Sequence, residues 1–279
     1  MLKRGGIMSN CSTCPSNSSC SKDKETCMVQ INPNNRIKKV IAVMSGKGGV
    51  GKSTVSVLLA KKLNELGYSV GIMDADVTGP SIPRLLNIRE KARGTEEYIL
   101  PVETEDGIKV MSVNLLMEDE NQPVLWRGPV ISGVITQFWT DVLWEDLDYL
   151  IIDMPPGTSD VALTVMQSIP INGVVMVSIP QDLVTMIVMK AINMARKLNI
   201  DVLGVIQNMS YINCPDCGKK IRLFNSEKAE EEYREMGVDI LGELPMTQSL
   251  NNYNDLTQDR IEFDKIFTPI VLEIMKKLN

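Results

Sequence analysis

The segment from residue 46 to residue 54 reads Gly-Lys-Gly-Gly-Val-Gly-Lys-Ser-Thr and constrains the fold more than any other part of the chain. It matches the phosphate-binding pattern G-x-x-x-x-G-K-[ST] through Gly46, Gly51, Lys52 and Ser53. A short apolar run of strand type precedes it, and a segment with helical spacing follows it. A strand, a glycine-rich loop and a helix in this order predict a loop that binds a nucleoside triphosphate.

The residue types of the loop suit contact with phosphate. Glycines let backbone N–H groups approach phosphate oxygens, and a helix N-terminus adds a positive dipole end. Lys52 can neutralise the β- and γ-phosphates, and the Ser53 hydroxyl can bind Mg²⁺. The predicted nucleotide-binding residues of the loop are Gly46, Gly48, Gly49, Val50, Gly51, Lys52, Ser53 and Thr54.

Composition and charge exclude several other classes of function. The chain has 279 residues, of which 44% are hydrophobic and 23% charged, as in soluble globular proteins. Its net charge of −6 and pI of about 5.0 argue against nonspecific binding to nucleic acid. The sequence contains no apolar run of membrane-spanning length and no secretory signal pattern. We therefore expect a cytoplasmic protein with neither nucleic acid nor membrane as its partner.

Strand and helix patterns alternate along most of the chain. Residues 1–35 are rich in Ser, Asn, Lys and Cys, and predict a largely unstructured extension with a possible metal-cluster site. From residue 36 to residue 279 the alternation predicts one α/β domain with a doubly wound, mostly parallel sheet. Ligands of such sheets bind at the carboxyl ends of the strands, where the glycine-rich loop lies.

Carboxylates follow two of the predicted strands. Tyr149–Asp153 is an apolar strand that ends in Asp153, which can hold the Mg²⁺ shell directly or through water. Asp74 and Asp76 follow another strand, at Ser69–Met73. The position of Asp153 predicts an oxygen ligand of Mg²⁺ beside the loop.

The cysteines are the only soft metal ligands available, because the chain contains no histidine. The six cysteines form an N-terminal group of four and the pair Cys214 and Cys217. One CxxC pair fits half of a zinc site, a redox pair or half of a cluster site. A homodimer would bring four thiolates together, which is the ligand set of a [4Fe–4S] cluster, although Zn²⁺ could also occupy it.

The loop sequence KGGVGKST resembles the deviant P-loop of the MinD, ParA and nitrogenase-iron-protein class of ATPases. In that class the early lysine, here Lys47, reaches across a homodimer interface to the nucleotide of the partner. The resemblance implies that Asp76 orients or activates the attacking water, and that Asp74 supports Mg²⁺ and its loop. It also implies that the Gly157 amide approaches the γ-phosphate and that Asn208 hydrogen-bonds adenine.

A narrower resemblance rests on six motifs between residues 36 and 279. GKGGVGKST, DADVTGPSIP, VLWRGPV, DMPPGTSD, QNM and CPDCG occur in the order found in the Mrp/NBP-type iron–sulfur cluster carrier ATPases. This resemblance implies an ATP-hydrolysing homodimer that binds a labile cluster at Cys214 and Cys217. It also implies that the cluster passes to apo iron–sulfur proteins. A positioning ATPase of the MinD/ParA type and an ATP-gated iron–sulfur reductase are the alternatives.

The N-terminal cysteines partly resemble a second cluster motif of this family. Cys11, Cys14 and Cys20 match its C-x2-C-x5-C part, but the usual upstream cysteine is missing and Cys27 lies downstream instead. Four thiolates favour a second [4Fe–4S] site. Zinc binding and a redox-active tail remain alternatives.

Overall fold

The fold is a nine-stranded, mostly parallel sheet with helices on both faces, as far as the described residues show. A computed structural model describes residues 28–77, 79–118, 126, 128–214, 216–222, 224, 227–247 and 259–279. The strands are β1 Arg36–Ser45, β2 Val70–Asp74, β3 Arg93–Gly94, β4 Ile99–Leu100, β5 Val102–Glu103, β6 Lys109–Met111, β7 Asp146–Asp153, β8 Gly173–Ser178, β9 Val202–Asn213, β10 Lys220–Arg222 and β11 Ile240–Pro245. The helices are α1 Lys52–Glu65, α2 Ile82–Leu85, α3 Gly128–Thr140, α4 Asp160–Ser168, α5 Asp182–Lys197, α6 Glu227–Glu235 and α7 Asp259–Lys277.

Strand order shows the double winding. Neighbouring strands follow the order β10-β9-β8-β1-β7-β2-β6-β5, and β11 also pairs with β9. Within this sheet, the short strands β10 and β5 are antiparallel to their neighbours and the remaining pairs are parallel. Strands β3 and β4 form a separate antiparallel pair. Strands β2 and β8 are buried along their whole length, as expected for parallel strands covered on both faces. The predicted mostly parallel α/β sheet is confirmed, whereas the cysteines of the predicted N-terminal extension lie outside the described residues.

The helices cover the sheet in two groups. Helix α1 contacts α2 and α7, whereas α3 contacts α4 and α5 contacts α6. Parallel β–α–β crossovers are right-handed. The chain moves along the sheet in one direction from β1 through α1 to β2, and in the opposite direction from β7 through α4 to β8 and through α5 to β9. The crossovers through α1 and through α4 and α5 therefore lie on opposite faces. At the carboxyl edge between them, the register sets Asp153 beside Val43 and Asp74.

The segment before β1 packs against the domain. The backbone N–H of Val29 donates to the Ser168 carbonyl at the end of α4. Asn35 is buried, donates to Val142 O at 2.8 Å and accepts from the backbone N–H of Glu145 at 2.9 Å. The expectation of an unstructured segment up to residue 35 therefore does not hold for residues 29–35. Its order comes from asparagine hydrogen bonds and from the packing of Val29 and Ile31 against the core, neither of which requires apolar periodicity in the sequence.

Strand β9 is the largest difference from the predicted elements. The apolar pattern predicts a strand that ends at Gln207, but β9 continues to Asn213 and forms a hairpin with β10. Met209, at the point where the apolar run stops, has a positive φ of 53°. The pair Cys214 and Cys217 therefore lies in a β-hairpin turn. Among the described helices, none is both long and apolar enough to cross a membrane.

Candidate functional site

The glycine-rich loop joins β1 to α1 and packs tightly against the end of β9. Gly51 has φ of +83° directly before the helix, a conformation that glycine adopts without steric cost. A Cβ atom at Gly51 would lie 2.2 Å from Nδ2 of Asn208. The same Nδ2 donates to the Val50 carbonyl at 2.9 Å. The loop and Asn208 therefore form one rigid corner of the site.

Lys52 and Asp153 form a buried ion pair at the centre of the site. The Lys52 Nζ lies 2.8 Å from Asp153 Oδ2 and 3.6 Å from Asp76 Oδ2. Ser53 Oγ donates to the same Asp153 Oδ2 at 2.6 Å. The structure thus brings together four of the predicted site residues from three separate parts of the sequence.

Ser56 is a member of this network that the sequence interpretation missed. Its buried hydroxyl donates to Asp153 Oδ1 at 2.7 Å, so that both oxygens of Asp153 accept hydrogen bonds from α1. Ser56 follows Ser53 by three residues and therefore lies on the same face of the helix. A serine at this spacing inside an apolar helix was the available signal.

Asp74 is buried beside Asp153 and organises the loop that follows β2. Its Oδ1 accepts from the backbone N–H of Asp76 at 3.2 Å, and its Oδ2 accepts from Ser112 Oγ at 3.0 Å. Burial, followed by the charge of Asp153, raises the pKa of Asp74 to about 7, while Lys52 opposes the shift. Ser112, directly after β6, is another contact that sequence motifs did not reveal.

Of the groups described so far, Lys52, Ser53 and Asp76 line an open cavity of about 510 Å³, whereas the buried Asp74 and Asp153 do not. Its walls include most of the predicted loop residues, together with Asp76, Pro156 and the α2 residue Arg84. Arg84 adds a cationic side chain that the sequence interpretation did not assign to the site. The cavity combines lysines, a helix N-terminus and the Asp76 carboxylate, which suits a phosphate ester with a divalent cation.

Two predicted groups have same-chain partners at the cavity rim. Lys47 Nζ donates to Gln181 Oε1 at 3.2 Å. The Gly157 amide, expected to approach a phosphate, donates to the Ser45 carbonyl at 2.8 Å.

Asn208 carries an unsatisfied acceptor. Its Oδ1 atom is buried and has no hydrogen-bond partner, and both amide atoms of the adjacent Gln207 are unpartnered as well. Buried polar atoms without partners are rare in proteins and call for an explanation, such as a ligand.

The cysteine pair lies in the turn between β9 and β10. Cys214 N donates to the Lys219 carbonyl at 3.0 Å, and Gly218 N donates to the Cys214 carbonyl at 2.9 Å. Hydrogen bonds from the backbone N–H groups of Cys217 and Asp216 lower the pKa of the Cys214 thiol. Both cysteines are free thiols, and Cys217 is exposed. The turn favours thiolate, the form that binds metals.

One chain provides too few ligands for a complete metal site in the part that the structure describes. No group of three or more His, Cys, Asp or Glu side chains is close enough there to hold a metal ion. The N-terminal residues Cys11, Cys14, Cys20 and Cys27 lie outside the described residues.

Comparison with known proteins gives the family. A family model described as ParA, the NUBPL iron-transfer P-loop NTPase, matches residues 36–278. The chain belongs to this family. A relative from Clostridium perfringens, named iron-sulfur cluster carrier protein, is 49% identical over 264 residues, which cover 88% of this chain and 93% of the relative.

Solved structures agree with this membership of the NUBPL family. A nucleotide-binding protein from Archaeoglobus fulgidus in complex with ADP has a TM-score of 0.68 and 41% identity, covering 87% of this chain and 89% of that chain. The cell division ATPase MinD from Pyrococcus furiosus has a TM-score of 0.63 but only 20% identity, with coverage of 86% and 99%. That second similarity shows the MinD-like P-loop NTPase fold alone.

Proposed function

We propose that this protein is an ATP-hydrolysing iron–sulfur cluster carrier. In this proposal, two copies hold a labile [4Fe–4S] cluster and transfer it to apo iron–sulfur proteins. One observation carries the proposal: strand β9 links a phosphate-binding corner, at Asn208, to a thiolate-favouring turn that begins at Cys214. The family and the names of its cluster-carrier relatives support it.

The nucleotide is ATP in this proposal. The unsatisfied Oδ1 of Asn208 can accept a hydrogen bond from the exocyclic amino group of adenine. Guanine has a carbonyl acceptor at the corresponding position and would leave this oxygen unpaired. The ADP complex of the Archaeoglobus relative supports an adenine nucleotide.

Mg²⁺ fits the donor set beside the phosphates. Ser53, Asp74 and Asp153 offer the hard oxygen ligands that this ion prefers, directly or through water. When bound, the ion would neutralise phosphate charge. The raised pKa of Asp74 fits this arrangement, since a cation would favour the charged form of the buried carboxyl.

Hydrolysis then depends on positioning and charge neutralisation. Lys52 exchanges part of its contact with Asp153 for the β- and γ-phosphates. Asp76, whose backbone is held by Asp74, orients the attacking water. Lys47 of a second copy supplies additional positive charge to the γ-phosphate. The Gly157 amide exchanges its Ser45 partner for a phosphate oxygen.

The cluster is the cargo, and two chains supply its four thiolates from Cys214 and Cys217. An apolar row beside the turn supports a protein interface there. Ile221 is exposed and pairs across the hairpin with Ile212, and Met246, also exposed, follows the β11 residue that pairs with β9. Exposed apolar residues next to an incomplete ligand set favour association of two copies.

A second cluster at Cys11, Cys14, Cys20 and Cys27 is part of the proposal. Four thiolates at short spacing match the ligand count of a [4Fe–4S] cluster. We place the protein in the cytoplasm, where thiols stay reduced.

Anaerobic reconstitution with iron and sulfide tests this function. Iron, sulfide and Mössbauer spectra would be measured on the full chain, on the double variant Cys214→Ala/Cys217→Ala, and on a variant lacking the four N-terminal cysteines. We expect the double variant to lose one [4Fe–4S] per two chains while it still binds ATP. Retention of that cluster in the double variant would overturn the assignment. ATP-dependent binding to lipid or DNA without any cluster would instead indicate a positioning ATPase.

A further inference from the structure

The ammonium group of Lys47 is held by a residue that no motif assigns to the site. Its Nζ donates to Oε1 of Gln181 at 3.2 Å, in a half-buried position. Gln181 is the N-cap residue of α5, but its side chain accepts no capping hydrogen bond from the backbone N–H groups of that helix. Glutamine is not a favoured N-cap residue. Its contact with Lys47 therefore accounts better for a glutamine at this position than helix capping does.

The backbone at Lys47 is fixed, so that its side chain is the movable part. A Cβ atom at Gly46 would lie 3.0 Å from the Val188 backbone nitrogen and 3.1 Å from Ile187 Cβ in α5. This close approach leaves no room for the loop to shift towards the helix. Ser45 Oγ also donates to the Lys47 carbonyl at 3.0 Å. Lys47 therefore changes its hydrogen-bond partner by changing its side-chain rotamer, while its backbone stays in place.

The hydrogen bond between Lys47 and Gln181 is weak enough for a phosphate group to displace it. A hydrogen bond from an ammonium to a neutral amide is weaker than one to an ionised phosphate oxygen. The nearby N-terminus of α5 also disfavours a cation, because it carries the positive end of the helix dipole. A phosphate oxygen within reach would therefore displace the Gln181 amide.

We infer that Gln181 is a positioning residue, which holds Lys47 on its own chain until the nucleotide phosphates of a second copy displace it. The inference rests on the proposed function, in which Lys47 acts across the interface of two copies. Gln181 would in this way set how readily ATP-loaded chains associate. A carboxylate at this position would hold Lys47 too tightly, and a methyl group would not hold it at all.

Variants Gln181→Glu and Gln181→Ala test this role in the full-length protein. Association of two copies would be followed by analytical ultracentrifugation with Mg²⁺ and ATPγS, and turnover by phosphate release with ATP. We expect Gln181→Glu to weaken association about fivefold, which corresponds to one partly exposed ion pair. Gln181→Ala should strengthen association by about threefold, as expected for loss of one weak hydrogen bond. Gln137→Glu, which adds the same charge on an exposed position of α3, is the matched control and should change neither quantity.

The Lys47→Ala background separates this role from a structural one. If Gln181 acts through Lys47, both Gln181 substitutions should have no further effect there. Wild-type association in both single variants, or weaker association in both, would overturn the inference. Lys47→Ala itself tests the proposed function: if it associates and turns over like the wild type, the role of Lys47 across the interface is wrong. If it loses both while the Gln181 variants are unchanged, only the inference about Gln181 fails.

Discussion

Lys52 Nζ and Asp153 Oδ2 lie 2.8 Å apart, although their residues are separated by 101 positions in the chain. The lysine begins α1 and the aspartate ends β7. Both side chains are buried, so each charge depends on the other for stability. The phosphate-binding lysine is thus held at the centre of the site by the carboxylate that we assign to Mg²⁺.

Lys52→Ala should abolish productive ATP binding and also destabilise the fold. Without the lysine, the loop lacks its main phosphate counter-charge. The buried Asp153 would lose its cationic partner, which costs about 3 kcal/mol of unfolding free energy. Calorimetric ATP titration and denaturant unfolding measure the two effects. The double variant Lys52→Ala/Asp153→Asn should recover stability without recovering binding. Normal ATP affinity in Lys52→Ala would contradict the mechanism.

Ser56→Ala should weaken the dependence of nucleotide binding on Mg²⁺. Its hydroxyl orients Asp153 without facing the cavity, and loss of such a supporting contact lowers metal affinity roughly tenfold. ADP titrations at several Mg²⁺ concentrations measure the change, with Ser53→Ala as the stronger comparison. Unchanged Mg²⁺ dependence in Ser56→Ala would show that Asp153 does not need this support.

Asn208→Ala should reduce discrimination between ATP and GTP. Its unsatisfied Oδ1 is the acceptor that we assign to the adenine amino group, and one such hydrogen bond corresponds to about tenfold in affinity. Competition binding with both nucleotides measures the ratio. Asn208→Asp keeps an acceptor oxygen and should retain more of the preference for ATP than the alanine variant. Equal ratios in all three proteins would refute the assignment.

Asp148→Asn should destabilise the protein in a pH-dependent manner. Asp148 accepts hydrogen bonds from Lys38 Nζ at 2.6 Å and from Ser69 N at 2.9 Å, and these contacts lower its pKa. A carboxyl whose pKa is lower in the folded than in the unfolded state stabilises the fold at pH values above its unfolded-state pKa. This stabilisation is lost as the pH falls through the folded-state pKa. We expect a loss of about 1 kcal/mol at pH 7 that shrinks below about pH 4. Denaturant unfolding across this pH range measures it, with the exposed Asp201→Asn as the control. A constant difference across that range would contradict this account.

Local sequence patterns predicted much of the site because its main residues belong to a continuous motif or end an apolar strand. Lys52 and Ser53 are fixed by the loop pattern, and Asp153 by the end of β7. Ser56 left only its helical spacing from Ser53 as a signal, and Ser112 and Gln181 belong to no motif, because the contacts of all three join elements that are distant in the sequence. The hairpin after Gln207 was missed because its buried positions include the polar residues Asn208 and Ser210, and because β10 is exposed, so that no apolar run continues.

The sequence by itself determined the fold class, the phosphate-binding loop and the two groups of thiolates, because each follows from residue types at short spacing. Only the tertiary structure decided which carboxylate Lys52 pairs with, which atom of Asn208 lacks a partner and where Lys47 is held. Those facts depend on strand register and on helix packing across the sheet. Such contacts join side chains that a sequence pattern treats as unrelated.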